Sequence, residues 1–213
     1  MLPMFPLQLV VFPGEDLNLH IFEPRYRELL ADCEEEGISF GIPPFIDNAI
    51  MEVGTEVELV EVARRYPNGE LDIRTRGTGV FKIDTFFHQF PGKLYAGAEV
   101  TSRRSRETGD VQKARKLADL ARHLFEIMQV QVDLPDDPAR LRTFALGHQV
   151  GLSLQQEYEL LCQSDERARQ DYMLDHLRRL IPMARELERL KEKVQMNGHF
   201  RNITPPDIRK MER

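Results

Sequence analysis

Cysteine and long apolar runs are scarce in this chain of 213 residues. Its two cysteines, Cys33 and Cys162, lie far apart without a C-x-x-C partner, so we expect reduced packing residues rather than a disulfide or a zinc framework. The longest uninterrupted apolar run, residues 9–12, is far shorter than the roughly 18 residues that a membrane span requires. The amino terminus also lacks the basic-then-apolar order of a signal peptide. We therefore expect a cytoplasmic protein with no membrane partner.

Signatures of catalysis and of cofactor binding are equally scarce. Gly92-Lys93 has neither the earlier glycine nor the following Ser/Thr of a phosphate-binding loop. The six histidines lack the spacing of a metal site, so we expect no metal and no cofactor. Gly37-Ile38-Ser39-Phe40-Gly41 matches the G-x-S-x-G pattern of hydrolases, but that mechanism needs a strand-to-helix turn. Here a helical pattern precedes the motif, so we place Ser39 in or beside a strand, and a small serine hydrolase is the least favoured function.

Basic charge is scarce in the first half of the chain. Residues 1–101 contain 8 Lys and Arg against 17 Asp and Glu, whereas the remainder contains 21 against 18. Nucleic-acid binding depends strongly on basic side chains that neutralise phosphates. RNA binding is therefore kept only as an alternative function, and we do not expect nucleic acid among the partners.

Prolines and short apolar runs dominate the first 26 residues. Pro3, Pro6 and Pro13 interrupt apolar stretches, which favours irregular, frequently turned edge strands over a helix. Glu23-Pro24 then opens a helix, because proline suits the first helical position. Its apolar stripe, ended by Gly37, consists of Tyr26, Leu29, Leu30 and Cys33.

Alternating strand patterns follow this helix. A long strand is predicted over residues 56–65, a returning strand over 71–76 and a further strand over 77–83. Asn68-Gly69 lies between the first two, and such a dipeptide predicts a type I′ hairpin turn in which both residues have positive φ.

These features, in this order, resemble the Lon N-terminal domain, the PUA-like module that recognises substrates for Lon proteases. The resemblance is strong over residues 1–101 and extends to the layout of the rest. It implies an α+β fold: a PUA-like pseudo-β-barrel with one inserted helix, followed by a C-terminal helical bundle. It also implies a non-catalytic protein-recognition module rather than an enzyme, since the ATPase and Ser-Lys protease parts of Lon have no counterpart here. The implied partners are unfolded or extended polypeptide segments and a separate protease or chaperone.

The pattern changes from strands to helices near Arg103. We expect a barrel subdomain over residues 1–104, a helical bundle over 105–198 and a tail over 199–213. One amphipathic helix follows Gly109, and three further helix starts are predicted by capping and end-charge signals: Asp137 with Pro138, Ser153 with Gln156, and Asp165 with Glu166.

An apolar seam runs along the last predicted helix. Lys191 and Pro182 interrupt it, so packing on the other helices is favoured over a coiled-coil dimer, the alternative reading. The seam consists of Met173, Leu177, Leu180, Ala184, Leu187 and Val194.

Aromatic and basic side chains near two loops are the candidate binding residues. They either line a groove for a partner or fill the barrel, and alternate members of each run are expected inside. The arginines either bind carboxylates of a partner or those of the chain itself. The candidates are Arg25, Tyr26, Arg27, Phe45, Phe86, Phe87, Phe90 and Tyr95.

Overall fold

The computed structural model describes residues 1–106 and 108–199. Within them the strands are β1 (Leu2–Met4), β2 (Asp16–Ile21), β3 (Phe40–Ile42), β4 (Phe45–Ile46), β5 (Ala49–Ile50), β6 (Val53–Arg65), β7 (Leu71–Phe87) and β8 (Ala96–Arg103). The helices are α1 (Pro24–Glu36), α2 (Val111–Met128), α3 (Leu154–Leu161) and α4 (Glu166–His199), with 3-10 helices at Pro138–Arg140 and Thr143–Leu146. The predicted α+β class, with one inserted helix and a helical C-terminal part, is confirmed.

The large sheet closes on itself. Its strand order is β2-β7-β6-β3-β1-β8, and β7 also pairs with β8, so five strands form a ring with β2 on its outside. The two strands predicted over residues 71–76 and 77–83 are one continuous strand, β7. Its first half pairs with β2 and its second half with β8. The predicted break coincides with this change of partner at Gly77, whose backbone bonds to Gly14 and Glu15.

The turn between β6 and β7 is not the predicted type I′ turn. Gly69 has a φ of 83°, but Asn68 is not among the residues with positive φ. The Gly69 amide donates to the Tyr66 carbonyl at 2.9 Å, which places Pro67 at the first central position. Proline fixes φ near −65°, which excludes a type I′ turn here. Because Asn68 also lacks a positive φ, the turn is of type I rather than type II, and glycine follows it. The type I′ pattern occurs instead between β4 and β5, where Asp47 and Asn48 have φ of 50° and 62°.

Local capping signals set most helix ends correctly. Pro24 begins α1 and Gly37 ends it in the left-handed conformation, with a φ of 65°. The capping box of Ser153 and Gln156 is formed at α3. Asp137 also caps as predicted, but the helix it starts is only the 3-10 turn Pro138–Arg140, because the chain becomes extended again at Leu141.

The barrel and the helices share the largest apolar core. Val10, Phe12, Val53 and Val80 of the barrel pack with buried residues of α2 and α4. The Phe12 ring stacks on Phe144 at 5.0 Å, and a Cβ on the neighbouring Gly147 would overlap that ring. The boundary near residue 104 stays a prediction as a domain boundary, and the predicted tail lies outside the described residues apart from His199.

The seam of α4 divides into two parts. Met173 and Leu177 are buried in the shared core, and Leu180 and Ala184 pack against it partly buried, which confirms intramolecular packing for the first part. Beyond Pro182, Leu187 and Val194 are exposed. No helix among the described residues combines the length and apolar character needed to cross a bilayer.

A buried ion pair lies where the strands give way to the helices. The side chains of Glu166 and Arg169 are each 1% exposed, and Arg169 Nε donates to Glu166 Oε2 at 2.9 Å. Glu166 Oε1 accepts from both the backbone and the hydroxyl of Thr143. Arg169 also donates to Ser105 Oγ at 3.0 Å and lies 4.3 Å above the Phe144 ring. The pair therefore joins α4 to the end of the barrel and to the second 3-10 helix.

His148 makes a second polar contact between the barrel and the helices. Its ring nitrogens lie 3.1 Å from Glu15 Oε2 and 2.8 Å from Glu157 Oε1. The bond to Glu15 is the main cause that raises the pKa of His148 to about 9. Protonated His148 thus links the loop after Phe12 to α3.

Candidate functional site

Helix α1 is held on one side by the hairpin of β6 and β7. Arg27 donates to the Asn68 carbonyl at 3.0 Å, and Arg65 forms an ion pair with Glu34 at 2.5 Å. Arg27 therefore fixes the helix to the hairpin turn. Arg65 offsets part of the acidic charge at the C-terminal end of α1.

The other side of α1 holds the loop between β7 and β8. The Leu94 amide donates to Glu28 Oε2 at 2.8 Å, and Lys93 Nζ donates to Asp32 Oδ1 at 2.8 Å. Tyr95 also donates its hydroxyl to Asp32. Burial alone would raise the pKa of Asp32, but the bonds from Lys93 and Tyr95 outweigh it and hold that pKa below its usual value. These contacts fix the loop in one position.

Two of the predicted aromatic residues belong to the barrel core. Tyr26 stacks on Phe5 at 3.8 Å, and Tyr95 is only 2% exposed. Phe90 is half-buried, with its ring 5.6 Å from that of Tyr95 and against Gly97. These side chains support the loop from within.

The remaining candidates lie nearer the surface. Phe86 and Phe87 are half-buried at the end of β7, and Phe45 is exposed on β4. Arg25 is exposed and binds Glu23 Oε2 through two nitrogens, at 2.6 and 2.9 Å. We use "helix–loop surface" for residues 25–28 of α1 together with residues 86–95.

Two exposed apolar side chains near these candidates were not predicted from the sequence. Leu94 in the loop is 60% exposed, and Phe22, directly before α1, is 61% exposed. Leu94 lies in bent backbone just before β8, next to the buried Tyr95. Strand alternation does not apply there, so the sequence carried no signal for the exposure of Leu94.

A groove lies between the C-terminal end of α1 and the neighbouring strand β6. Its volume is about 640 Å³, and it is lined by the end of α1, by the segment leading to β3 and by residues 58–62 of β6, together with Glu56 and Thr78. Ser39 lies here, just before β3 as predicted, and its hydroxyl donates to Glu56. The serine is therefore bonded to a carboxylate at a helix-to-strand connection, not placed on a strand-to-helix turn.

A closed sheet with an inserted, doubly anchored helix and a packed helical part defines a module of the Lon N-terminal type. The chain belongs to the family described as the ATP-dependent protease La (LON) substrate-binding domain, whose model matches residues 1–179. This confirms the family resemblance seen in the sequence.

Solved structures show the same fold. A Lon N-terminal domain protein from Xanthomonas campestris is 28% identical with a TM-score of 0.66, over 82% of this chain and 96% of that one. The N-terminal domain of the Mycobacterium avium complex Lon protease is 18% identical with a TM-score of 0.61, over 83% and 97%. A search of curated proteins returned no significant match.

Proposed function

We propose that this chain is a non-catalytic module that binds unfolded or extended polypeptide segments and delivers them to a separate protease or chaperone. Membership of the LON substrate-binding family is the observation that carries this proposal. Substrate binding is the role for which the family is named, and the client-adaptor role is our extension of it.

The helix–loop surface is the proposed contact area. Leu94 presents an apolar side chain to solvent on a loop that Glu28 and Asp32 hold in place. A loop that is already ordered loses little conformational entropy when a client binds. Phe86, Phe87 and Arg25 extend the surface, while Phe45 is a separate exposed aromatic candidate on β4.

Binding is expected to be weak. The client itself must be ordered, which offsets much of the contact energy. Micromolar affinity, about 8 kcal/mol, is the expected scale. The contacts proposed for the client are apolar, through Leu94, Phe86 and Phe87, so moderate salt should change the affinity little.

Leu94→Ser tests the assignment, and Leu187→Ser is the matched control. Both leucines are largely exposed, 60% and 55%, but Leu187 lies on α4. Burial of a leucine side chain contributes up to about 1.5–3 kcal/mol, so Leu94→Ser should weaken capture of a permanently unfolded, carboxymethylated client roughly tenfold. Leu187→Ser should leave capture unchanged.

Normal capture of the client by Leu94→Ser would show that the helix–loop surface is not the contact area. If high salt then abolishes capture, the contact is electrostatic and lies elsewhere. Phe90→Ala would be a poorer test, because the half-buried ring supports Tyr95 and its loss also lowers stability.

A further inference from the structure

Part of β6 has no strand neighbour on the side opposite β7. Strand β3 pairs with β6 only at Thr55, Glu56 and Val57. From there β6 continues to Arg65, and no strand in the described part of the chain pairs with that side. An unpaired edge presents backbone N–H and C=O groups that are ready to pair with another extended chain.

The groove beside the end of α1 lies along this edge. Residues 58–62 of β6 line it, a length of about 13 Å at roughly 3.3 Å per residue. The volume of about 640 Å³ lies within the usual range of ligand sites. Val60 is 39% exposed, and the shift in register between Leu59 and Glu61 leaves it without a partner on β7. Glu58, Val60 and Glu61 are exposed, so this stretch of β6 meets solvent along the groove.

The charges around the groove are acidic. Four glutamates and no lysine or arginine are among its lining residues: Glu34, Glu56, Glu58 and Glu61. Three of them have polar contacts already, Glu34 with Arg65, Glu56 with Ser39, and Glu61 with Arg74 at 3.4 Å. The bond with Asp16 is the main cause that raises the pKa of Arg76, and the nearby charge of Glu58 adds to it.

Apolar side chains alternate with these carboxylates. Ile38, Leu59 and Val62 line the same groove. Charged residues and bulges on an edge strand prevent indiscriminate pairing, and an acidic edge repels acidic strands in particular. The same edge attracts a strand that carries basic side chains, because the positive charges complement the glutamates.

We propose that this groove binds an extended polypeptide segment in which Lys or Arg alternates with apolar residues, and that the segment adds a strand to the free edge of β6. The inference rests on the proposed function and adds a second contact area, together with a class of client sequence that this area would bind. Main-chain hydrogen bonds supply affinity in such strand addition, and alternate side chains supply specificity. Unlike binding at the helix–loop surface, this contact weakens as salt screens the charges.

Three labelled nine-residue peptides test the proposal by fluorescence anisotropy with the full chain. The first alternates lysine and valine, the second replaces each lysine with glutamate, and the third is the lysine peptide N-methylated at alternate amides. We expect micromolar binding of the first peptide only. N-methylation keeps the charge but removes the donors on one edge, so it separates strand addition from simple charge attraction.

A charge-reversal variant locates the site. Glu58→Lys with Glu61→Lys should weaken the lysine peptide at least tenfold and allow the glutamate peptide to bind. Glu99→Lys is the matched control, since Glu99 is exposed on β8 outside the groove, and it should bind like the unchanged protein. Amide hydrogen exchange on the unchanged protein is independent of any variant, and the lysine peptide should slow exchange within residues 58–62.

Several results would overturn the inference. Equal binding of the N-methylated peptide would show that charge alone is recognised. Unchanged affinity in the charge-reversal variant, or unchanged exchange at residues 58–62, would place the peptide elsewhere. If the protein captures a carboxymethylated client but does not bind the lysine peptide, the β6 edge is not a binding site and the proposed function stands. If it binds neither the client nor the peptide, both the edge site and the proposed function are wrong.

Discussion

Replacing Arg169 with methionine removes one partner of an ion pair in which both side chains are 1% exposed. Glu166 would keep its bonds from Thr143, but its charge would remain in the interior without the guanidinium. Breaking a buried pair in this way destabilises proteins by about 3–5 kcal/mol. The contacts of Arg169 with Ser105 and Phe144 would also be lost. Since native domains are stable by only about 5–15 kcal/mol, the loss would be a large share of the total.

Thermal and urea unfolding measure this effect. For a chain of this size, about 1 kcal/mol shifts Tm by roughly 2–4 °C, so Arg169→Met should lower Tm by roughly 6–20 °C. Arg178→Met is the control on the same helix, because Arg178 is exposed and pairs only at the surface with Asp175 at 2.7 Å. That variant should change stability by less than about 1 kcal/mol. If the two variants lose equal stability, the Glu166–Arg169 pair is not the buried joint described here.

Three further perturbations test other parts of the account. The pKa of His148 in the folded protein, about 9, lies above its usual 6.5. The stability that protonated His148 contributes is therefore present below about pH 6.5 and is lost as pH rises through about 9. Because the ring is 39% exposed, we expect the free energy of urea unfolding to fall by only about 1 kcal/mol over this range, and His148→Gln should not show this fall. A chain ending at residue 104 should aggregate in size-exclusion chromatography, because Phe12, Val53 and Val80 lose their helical cover; a monomeric barrel would establish a separate domain. Purified protein should neither cleave casein nor hydrolyse ATP, and activity abolished by Ser39→Ala would contradict this.

Features that depend on a few neighbouring residues were predictable from the sequence. Pro24 and Gly37 fixed the ends of α1, and Ser153 with Gln156 fixed the start of α3. In each case the hydrogen bond or the φ angle lies within one turn of the signal. Alternation also predicted the long strand β6 and the start of the returning strand β7.

Features that depend on distant parts of the chain were not predictable from the sequence. Glu166 reads locally as a favourable charge in a first helical turn, whereas Thr143 and Arg169 enclose it in the interior. The sequence places Tyr95 in a loop, but its side chain is buried and donates a hydrogen bond to Asp32 of α1. The groove was equally hidden, because it exists only where β3 stops pairing and the end of α1 meets β6.

The affinity of the full chain for one client in two states tests the central claim most directly. Labelled protein is titrated with a carboxymethylated, permanently unfolded client and with the native form of the same client. We expect micromolar binding of the unfolded form and at least roughly tenfold weaker binding of the native form. Equal affinity for the two forms, or no binding of the unfolded form, would contradict a role in recognising extended polypeptide.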